Sequence, residues 1–332
     1  MPLALSYLTA GEFEVHKTIH KGRIMGAVAF GTQRPRITVP NYPYAWVDMP
    51  ALNDRSMFEV WTSAQPAVRD DADELVSARN ENILFGCLQT KLDSRLDAAS
   101  YDAYSRIFDF IDSRGYDHLL RVWNYIPQIN ADAEGLERYM RFNVGRHEAF
   151  AAKRRLIETD TPAACALGGR GTSLIIYFLA SKQRGRLVEN PRQISAFHYP
   201  AQYGPRSPTF ARATLLQTAG KAMLFVSGTA SIVGHETLHI GNASAQARET
   251  VANILAVVAQ AQRAGFDAPN SNANLMLKIY LRNPNDLSMV RNCLIEAFGP
   301  AVNALYLQAD ICRSNLLLEI EAVYSSASPP MH

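Results

Sequence analysis

Apolar residues at Tyr104, Ile107, Phe108 and Ile111 recur three and four positions apart, which places them on one face of a helix. Gly115 is where that helix should end, because glycine accepts the left-handed turn that closes helices. Leu119 to Ile126 then runs apolar up to Pro127 and predicts a strand. A second helix is predicted over 134–150, after Asp132. The same order returns later in the chain. Glu249 to Arg263, rich in Ala and Val, predicts a helix closed by Gly265. Ala273 to Leu281 predicts a strand stopped by Asn283-Pro284, and Asp286 to Phe298 another helix. The junctions agree in type, Ser113-Arg114-Gly115-Tyr116-Asp117 against Arg263-Ala264-Gly265-Phe266-Asp267. A helix–strand–helix unit with flanking strands therefore occurs twice. The expected fold is α+β, with two related halves spanning 1–181 and 182–332, each a mixed sheet with helices on one face. A site is expected at the seam, where pockets tend to form.

Outside the repeat, residues 1–80 read as short strands and loops, with a strand over Ile24 to Phe30. Thr172 to Ser181 is a strongly apolar strand after the glycine-rich Gly168 to Gly171. Leu316 to Tyr324 reads as the last strand. Side chains alternate across it, so Leu317, Glu319, Glu321 and Val323 share a face. Two carboxylates two positions apart on a strand lie ~7 Å from each other. In apolar surroundings each disfavours the other's charge, which is one way to make a carboxylic acid that exchanges protons near neutrality. The competing reading is an edge strand whose glutamates face water.

The chain has 332 residues, 48% of them hydrophobic and 19% charged, enough for a substantial core. A net charge of +2 is too small a bias to predict a nucleic acid or an anionic membrane surface as partner. No apolar run approaches the ~20 residues of a membrane helix, and Met1 to Tyr7 lacks the basic start of a signal peptide. Cys87, Cys165, Cys293 and Cys312 form no Cys-x-x-Cys pair, so a reduced, cytoplasmic setting is expected. The tail from Ser325, with Pro329-Pro330, reads as frayed.

Four segments carry candidate chemistry. His235-Glu236-Thr237-Leu238-His239 matches H-E-x-x-H, but a zinc protease needs it helical and its surroundings read as strand and loop. On a strand the two histidines stand ~13 Å apart, too far for one zinc, so no metal is expected. Gly168-Gly169-Arg170-Gly171-Thr172 lacks a P-loop lysine and precedes a strand, so it reads as a turn. Tyr139 and Arg146 lie seven apart on a predicted helix and share a face. Arg grips carboxylates and Tyr adds a directional donor. Residues 196–213, with Tyr199, Tyr203, Arg206 and Arg212 among several prolines, read as a stiffened loop of pre-placed donors suited to a small polyanion. A surface helix and a partner-binding loop are the alternative readings of these last two.

The stretches 141–150, 196–213, 227–242 and 309–324 together resemble the chorismatases, over most of the chain from about residue 80. Each half, and especially 251–324, also resembles the small α+β subunit of the YjgF/RidA imine deaminases. The chorismatase resemblance implies an enzyme that acts on chorismate and releases pyruvate, with no cofactor and no metal. It implies that Glu319 is the acid/base, that Tyr139, Arg146, Tyr199 and Arg212 bind substrate, and that Gly228 and Cys312 decide the product. Glycine and cysteine at those two places go with a hydroxybenzoate, alanines with a dihydrodiol. Gly228 is then expected to leave room for a shifted ring. Independently, a substrate with two carboxylates calls for two arginines. Other readings are a hydrolytic chorismatase, an imine deaminase, or a small-molecule sensor of the same fold. Whether the chain is a monomer or a homo-oligomer stays open.

Overall fold

The two matching helix ends close in the same way. Gly115 and Gly265 take left-handed φ angles of 72° and 91°. The amide after each reaches back five residues, Tyr116 to the Ile111 carbonyl and Phe266 to the Ala261 carbonyl, both at 2.9 Å. That is the glycine-closed helix end expected from the junction sequences. The structure, a computed structural model, describes residues 3–36, 40–92, 95–218, 221–267 and 274–326. The start of the Ala273 strand and the tail with Pro329-Pro330 fall outside the described residues.

In chain order, the first unit holds β1 (Leu3–Thr9), α1 (Ala10–Ile19), β2 (Ile24–Gly31), β3 (Tyr44–Asp48) and β4 (Ser56–Ser63). The second holds β5 (Val68–Arg69), β6 (Leu75–Arg79), β7 (Ile83–Lys91), α2 (Leu96–Ser113) and β8 (His118–Pro127). It continues with the small strands β9 (Asp132–Ala133) and β10 (Leu136–Glu137), then α3 (Arg138–Ala152), α4 (Ile157–Asp160), β11 (Ala163–Gly169) and β12 (Ser173–Ser181). The third begins with β13 (Arg186–Val188), β14 (Ala213–Thr218), β15 (Lys221–Thr229), β16 (Ile232–Val233), β17 (Glu236–Thr237) and α5 (Ala243–Arg263). It ends with β18 (Leu275–Leu281), α6 (Leu287–Phe298), β19 (Asn303–Gln308), β20 (Asp310–Ile311) and β21 (Leu318–Ser325).

The second and third units share one topology. Their sheets run β6-β7-β12-β8-β11 and β14-β15-β21-β18-β19. In each, the last strand inserts antiparallel between the second and third, and the third pairs parallel with the fourth. The repeat read from the sequence thus extends through the strands, as an α+β fold. The first unit repeats it once more in shortened form. Its order β1-β4-β2-β3 matches β15-β21-β18-β19, with β2 and β3 as the parallel pair and, among the described residues, no second helix between them.

The helix α1 was not expected within 1–80. It is ten residues long and buries only Phe13 and His16, too few for a periodic signal. Its visible mark is the capping box Thr9-x-x-Glu12, in which each side chain meets the other residue's backbone amide. The helix predicted from residue 134 begins at Arg138, because Asp132 accepts from the Gly135 amide and turns the chain into β9 and β10.

The three sheets close into a ring. β11 packs on β15, β3 on β7 and β1 on β19. Their inner faces pool one core, which includes Met25, Phe30, Phe85, Trp123, Tyr177, Phe225 and Leu305. Each outer face carries its own helices over a separate core: α2 and α3, α5 and α6, and α1. Among the described residues no helix is long and apolar enough to cross a membrane.

Candidate active site

Where β11 of the second sheet meets β15 of the third, β15 is irregular. Its register against β21 shifts between Val226 and Thr229, so Ser227-Gly228 bulges. The Ser227 hydroxyl accepts from the Ala164 amide at 2.9 Å and donates to the Ala211 carbonyl at 2.5 Å. These bonds pin the seam. Across the bulge, β21 presents Glu319, which pairs with Tyr280 of β18.

Glu319 and Glu321 point to the same face, as alternation requires, and both are buried, at 3% and 4% exposure. The edge-strand alternative is excluded, since β21 lies between β15 and β18. Burial first, and then the neighbouring Glu321 charge, push the Glu319 carboxyl up to about 8, against the opposing pull of Arg121 and the Cys312 thiol. Its Oε2 faces Cys312 Sγ at 3.9 Å, while its buried Oε1 has no partner among the described residues. Cys312 lies seven residues earlier in sequence. It reaches the same carboxyl because the chain turns between them, with the Leu316 amide on the Arg313 carbonyl. Burial, and then Glu319, push the Cys312 thiol up to about 12, so it is a neutral thiol.

Gly228 explains the carboxyl's position. A Cβ there would stand 1.8 Å from Glu319 Oε1 and 3.0 Å from the Cβ of Cys165. The room above Gly228 therefore belongs to the carboxyl itself and not to a shifted ring.

The carboxyl opens into a cleft whose space, counted out through its open mouth, is about 850 Å³. Tyr139, Tyr199, Arg212, Gly228, Cys312 and Glu319 all line it. Arg212 is held by its Nη2, which donates to the Ile194 carbonyl at 2.7 Å and to Tyr199 Oη at 2.8 Å. Its Nε is buried without a partner. Arg146 does not line the wall. Seven residues along α3 is about 10 Å, so it sits two turns below Tyr139. It is 2% exposed, donates to Asn143 Oδ1 at 2.9 Å, and leaves Nε and the Asn143 amide nitrogen unpartnered. Of the other arginines, Arg184 and Arg192 are taken up by Asp160 and Glu249, and Arg206 is exposed and off the wall.

A second guanidinium at the cleft was not anticipated. Arg313 follows Cys312, stacks on the Tyr203 ring at 4.0 Å and donates from Nη1 to the His235 carbonyl at 2.8 Å. His235 thus helps shape the rim through its backbone, and Tyr203 Oη donates to the same carbonyl at 2.7 Å. His239 instead approaches Glu249, at 3.4 Å. Glu236 and Thr237 form a two-residue strand, so the H-E-x-x-H segment is not helical. Among the described residues no three His, Cys, Asp or Glu side chains gather as a metal-ligand set.

Sequence comparison agrees with this geometry. Residues 59–180 match the family described as chorismatase FkbO/Hyg5-like, N-terminal. The chain is 36% identical over 329 residues to a 3-hydroxybenzoate synthase of Streptomyces hygroscopicus, covering 96% of each. It is 38% identical over 288 residues to a chorismatase of Streptomyces rapamycinicus, covering 85% of this chain and 86% of that one. A chorismatase crystal structure superposes with a TM-score of 0.90 at 31% identity, over 97% of this chain and 98% of the other. The chain belongs to the chorismatase family.

Proposed function

We propose that this enzyme converts chorismate to a hydroxybenzoate and pyruvate, with 3-hydroxybenzoate as the expected isomer. One observation carries the reading: a buried, protonated Glu319 with a free Oε1 opens into a cleft that also holds Arg212. The 3-hydroxybenzoate synthase among the relatives supports the choice of product, as do Gly228 and Cys312.

Chorismate carries an enolpyruvyl ether on a cyclohexadiene ring. In its acid form Glu319 protonates the ether's methylene carbon, and the resulting oxocarbenium-like centre allows pyruvate to leave. The neighbouring C4 hydroxyl oxygen then bonds to the vacated C3 as its bond to C4 breaks, and C3 gives up its proton to the Glu319 carboxylate, so that the ring becomes aromatic as 3-hydroxybenzoate and the acid is restored. Hydroxybenzoate plus pyruvate equals chorismate in atoms, so no water is consumed. Arg212 binds one carboxylate with Tyr199 as second donor, and Tyr139 borders the ring. Arg146 contributes positive charge from beneath Tyr139. Cys312, as a neutral thiol, holds Oε2 so that Oε1 faces the substrate.

The test is incubation with chorismate and measurement of pyruvate and of a phenolic product. Pyruvate with a phenol is the expected result. Pyruvate with a non-aromatic dihydrodiol indicates the hydrolytic chemistry, and absence of pyruvate overturns the reading.

A further inference from the structure

The first unit supplies no wall to the cleft, whose lining begins at Glu137. Yet β4 buries a carboxylate, Glu59, at 1% exposure. A buried charge is costly unless it is paired. Glu59 Oε1 accepts from Trp61 Nε1 at 2.8 Å, and Oε2 from Tyr177 Oη at 2.9 Å. Its cation is Lys278 of β18, whose Nζ lies 2.5 Å from Glu59 and 2.6 Å from Glu321. Glu321 in turn binds Arg121 of β8 and accepts from Trp123 Nε1 at 2.9 Å. The result is a row of alternating charge, Glu59, Lys278, Glu321, Arg121, drawn from all three sheets. Its third member, Glu321, lies two residues from Glu319 on the same strand face.

We propose that Glu59 is a positioning residue for the acid. The negative charge of Glu59 offsets the positive charge of Lys278, so that the cations around Glu321 do not outnumber the anions on the Glu319 side of the row. Among the described residues, Glu321 from β21, Arg121 from β8, Cys312 from the turn, Cys165 from β11 and Tyr139 from α3 act on Glu319, and Arg212, Arg313 and Glu137 share the cleft with it. Of these, Glu321 is the charge that disfavours ionisation and Arg121 the one that favours it. Lys278 and Arg121 hold Glu321 ionised, and Glu59 is the second anion against these two cations. Without the Glu59 carboxylate the row holds two cations, Lys278 and Arg121, against the single anion Glu321, and its net positive charge favours the ionised form of Glu319. The first unit thereby takes part in the chemistry without touching the cleft. This inference rests on the acid role of Glu319 proposed above.

The experiment compares wild type, Glu59→Gln and the milder Glu59→Asp, with Glu319→Gln as reference. The carboxylic C=O band of Glu319 is titrated by infrared difference, and kcat/KM for chorismate is followed against pH. In Glu59→Gln the infrared midpoint and the upper pH limb should both fall by about one unit. Glu59→Asp, one methylene shorter, should move them the same way by less, and it serves if the Gln variant does not fold. A purely structural role lowers the melting temperature and leaves both midpoints in place, which overturns the proposal. A shifted infrared midpoint without turnover of chorismate upholds the coupling and refutes the proposed reaction. Turnover with an unmoved midpoint does the reverse.

Discussion

Glu319 and Glu321 leave the same face of one strand, two residues apart, and both are almost wholly buried. Burial raises the proton affinity of each. They differ in what surrounds the carboxyl. Glu321 meets Lys278, Arg121 and Trp123, and this set outweighs burial and holds it below the usual carboxylate range. Glu319 has one thiol as its hydrogen-bond partner, and burial with the Glu321 charge outweighs the pull of Arg121 and pushes its carboxyl up to about 8. Donor supply, and not depth, decides which carboxylate is structural and which is free for chemistry. Donors gather where three sheets meet and thin out where a bulge opens one seam.

The largest expected effect comes from removing the reactive member. Glu319→Gln should lower pyruvate release by roughly 10²–10⁴-fold, the usual contribution of a general acid. Because the acid form is the active one, wild-type kcat/KM should fall as pH rises through about 8. A coupled pyruvate assay reads both. Near-normal turnover in the Gln variant would remove Glu319 from the mechanism.

The same contrast predicts opposite pH slopes in stability. Folded Glu319 keeps a proton that the unfolded chain releases near pH 4.5. Stability from this group therefore falls from about pH 4.5 to about 8, by roughly 5 kcal/mol in all. Glu321 has the opposite sign. Its contribution is present above the unfolded carboxylate range and is lost as pH drops through its depressed folded value. Urea unfolding across pH should show a maximum in mild acid. Glu319→Gln should flatten the alkaline decline and leave the acid side unchanged. Glu321→Gln should destabilise by about 3–5 kcal/mol at neutral pH, because it strands the buried Arg121 guanidinium and leaves Lys278 with Glu59 alone. If both variants respond alike, the distinction between the two carboxyls fails.

Much of this contrast was legible in the sequence. Strand alternation placed Glu319 and Glu321 together, and the matched Gly115 and Gly265 junctions revealed the repeat. The tyrosines and Arg212 stood out in a proline-rich loop. What escaped was pairing across sheets. Glu59, Arg121 and Lys278 each interrupt an apolar strand, a signal that a buried charge needs a partner, but spacing within one strand cannot name a partner about 200 residues away. Arg313 escaped because its place at the cleft depends on stacking over Tyr203. Arg146 was placed on the correct helix face, but face alone does not give depth, and two turns of helix set it behind the wall.

The smallest expected effect concerns product choice and sharpens what Gly228 and Cys312 do. Both touch the Glu319 carboxyl, Gly228 by leaving room for Oε1 and Cys312 by facing Oε2. Cys312→Ala removes the Oε2 contact and should cost the carboxyl some of its fixed orientation, with a change of about 1 kcal/mol in activation free energy. Gly228→Ala acts more directly, because its Cβ cannot share space with Oε1 and the carboxyl must rotate. Rotation of a side-chain end is cheap, so folding should survive while the proton arrives from a different angle. The double variant should then release pyruvate at a comparable rate but shift product from the phenol toward the dihydrodiol, a partition that a difference of about 1.4 kcal/mol changes tenfold. Chromatographic ratios of the two products read that partition. An unchanged ratio, with the carboxyl displaced in a crystal structure of the variant, would mean that carboxyl orientation does not select between aromatisation and capture by water.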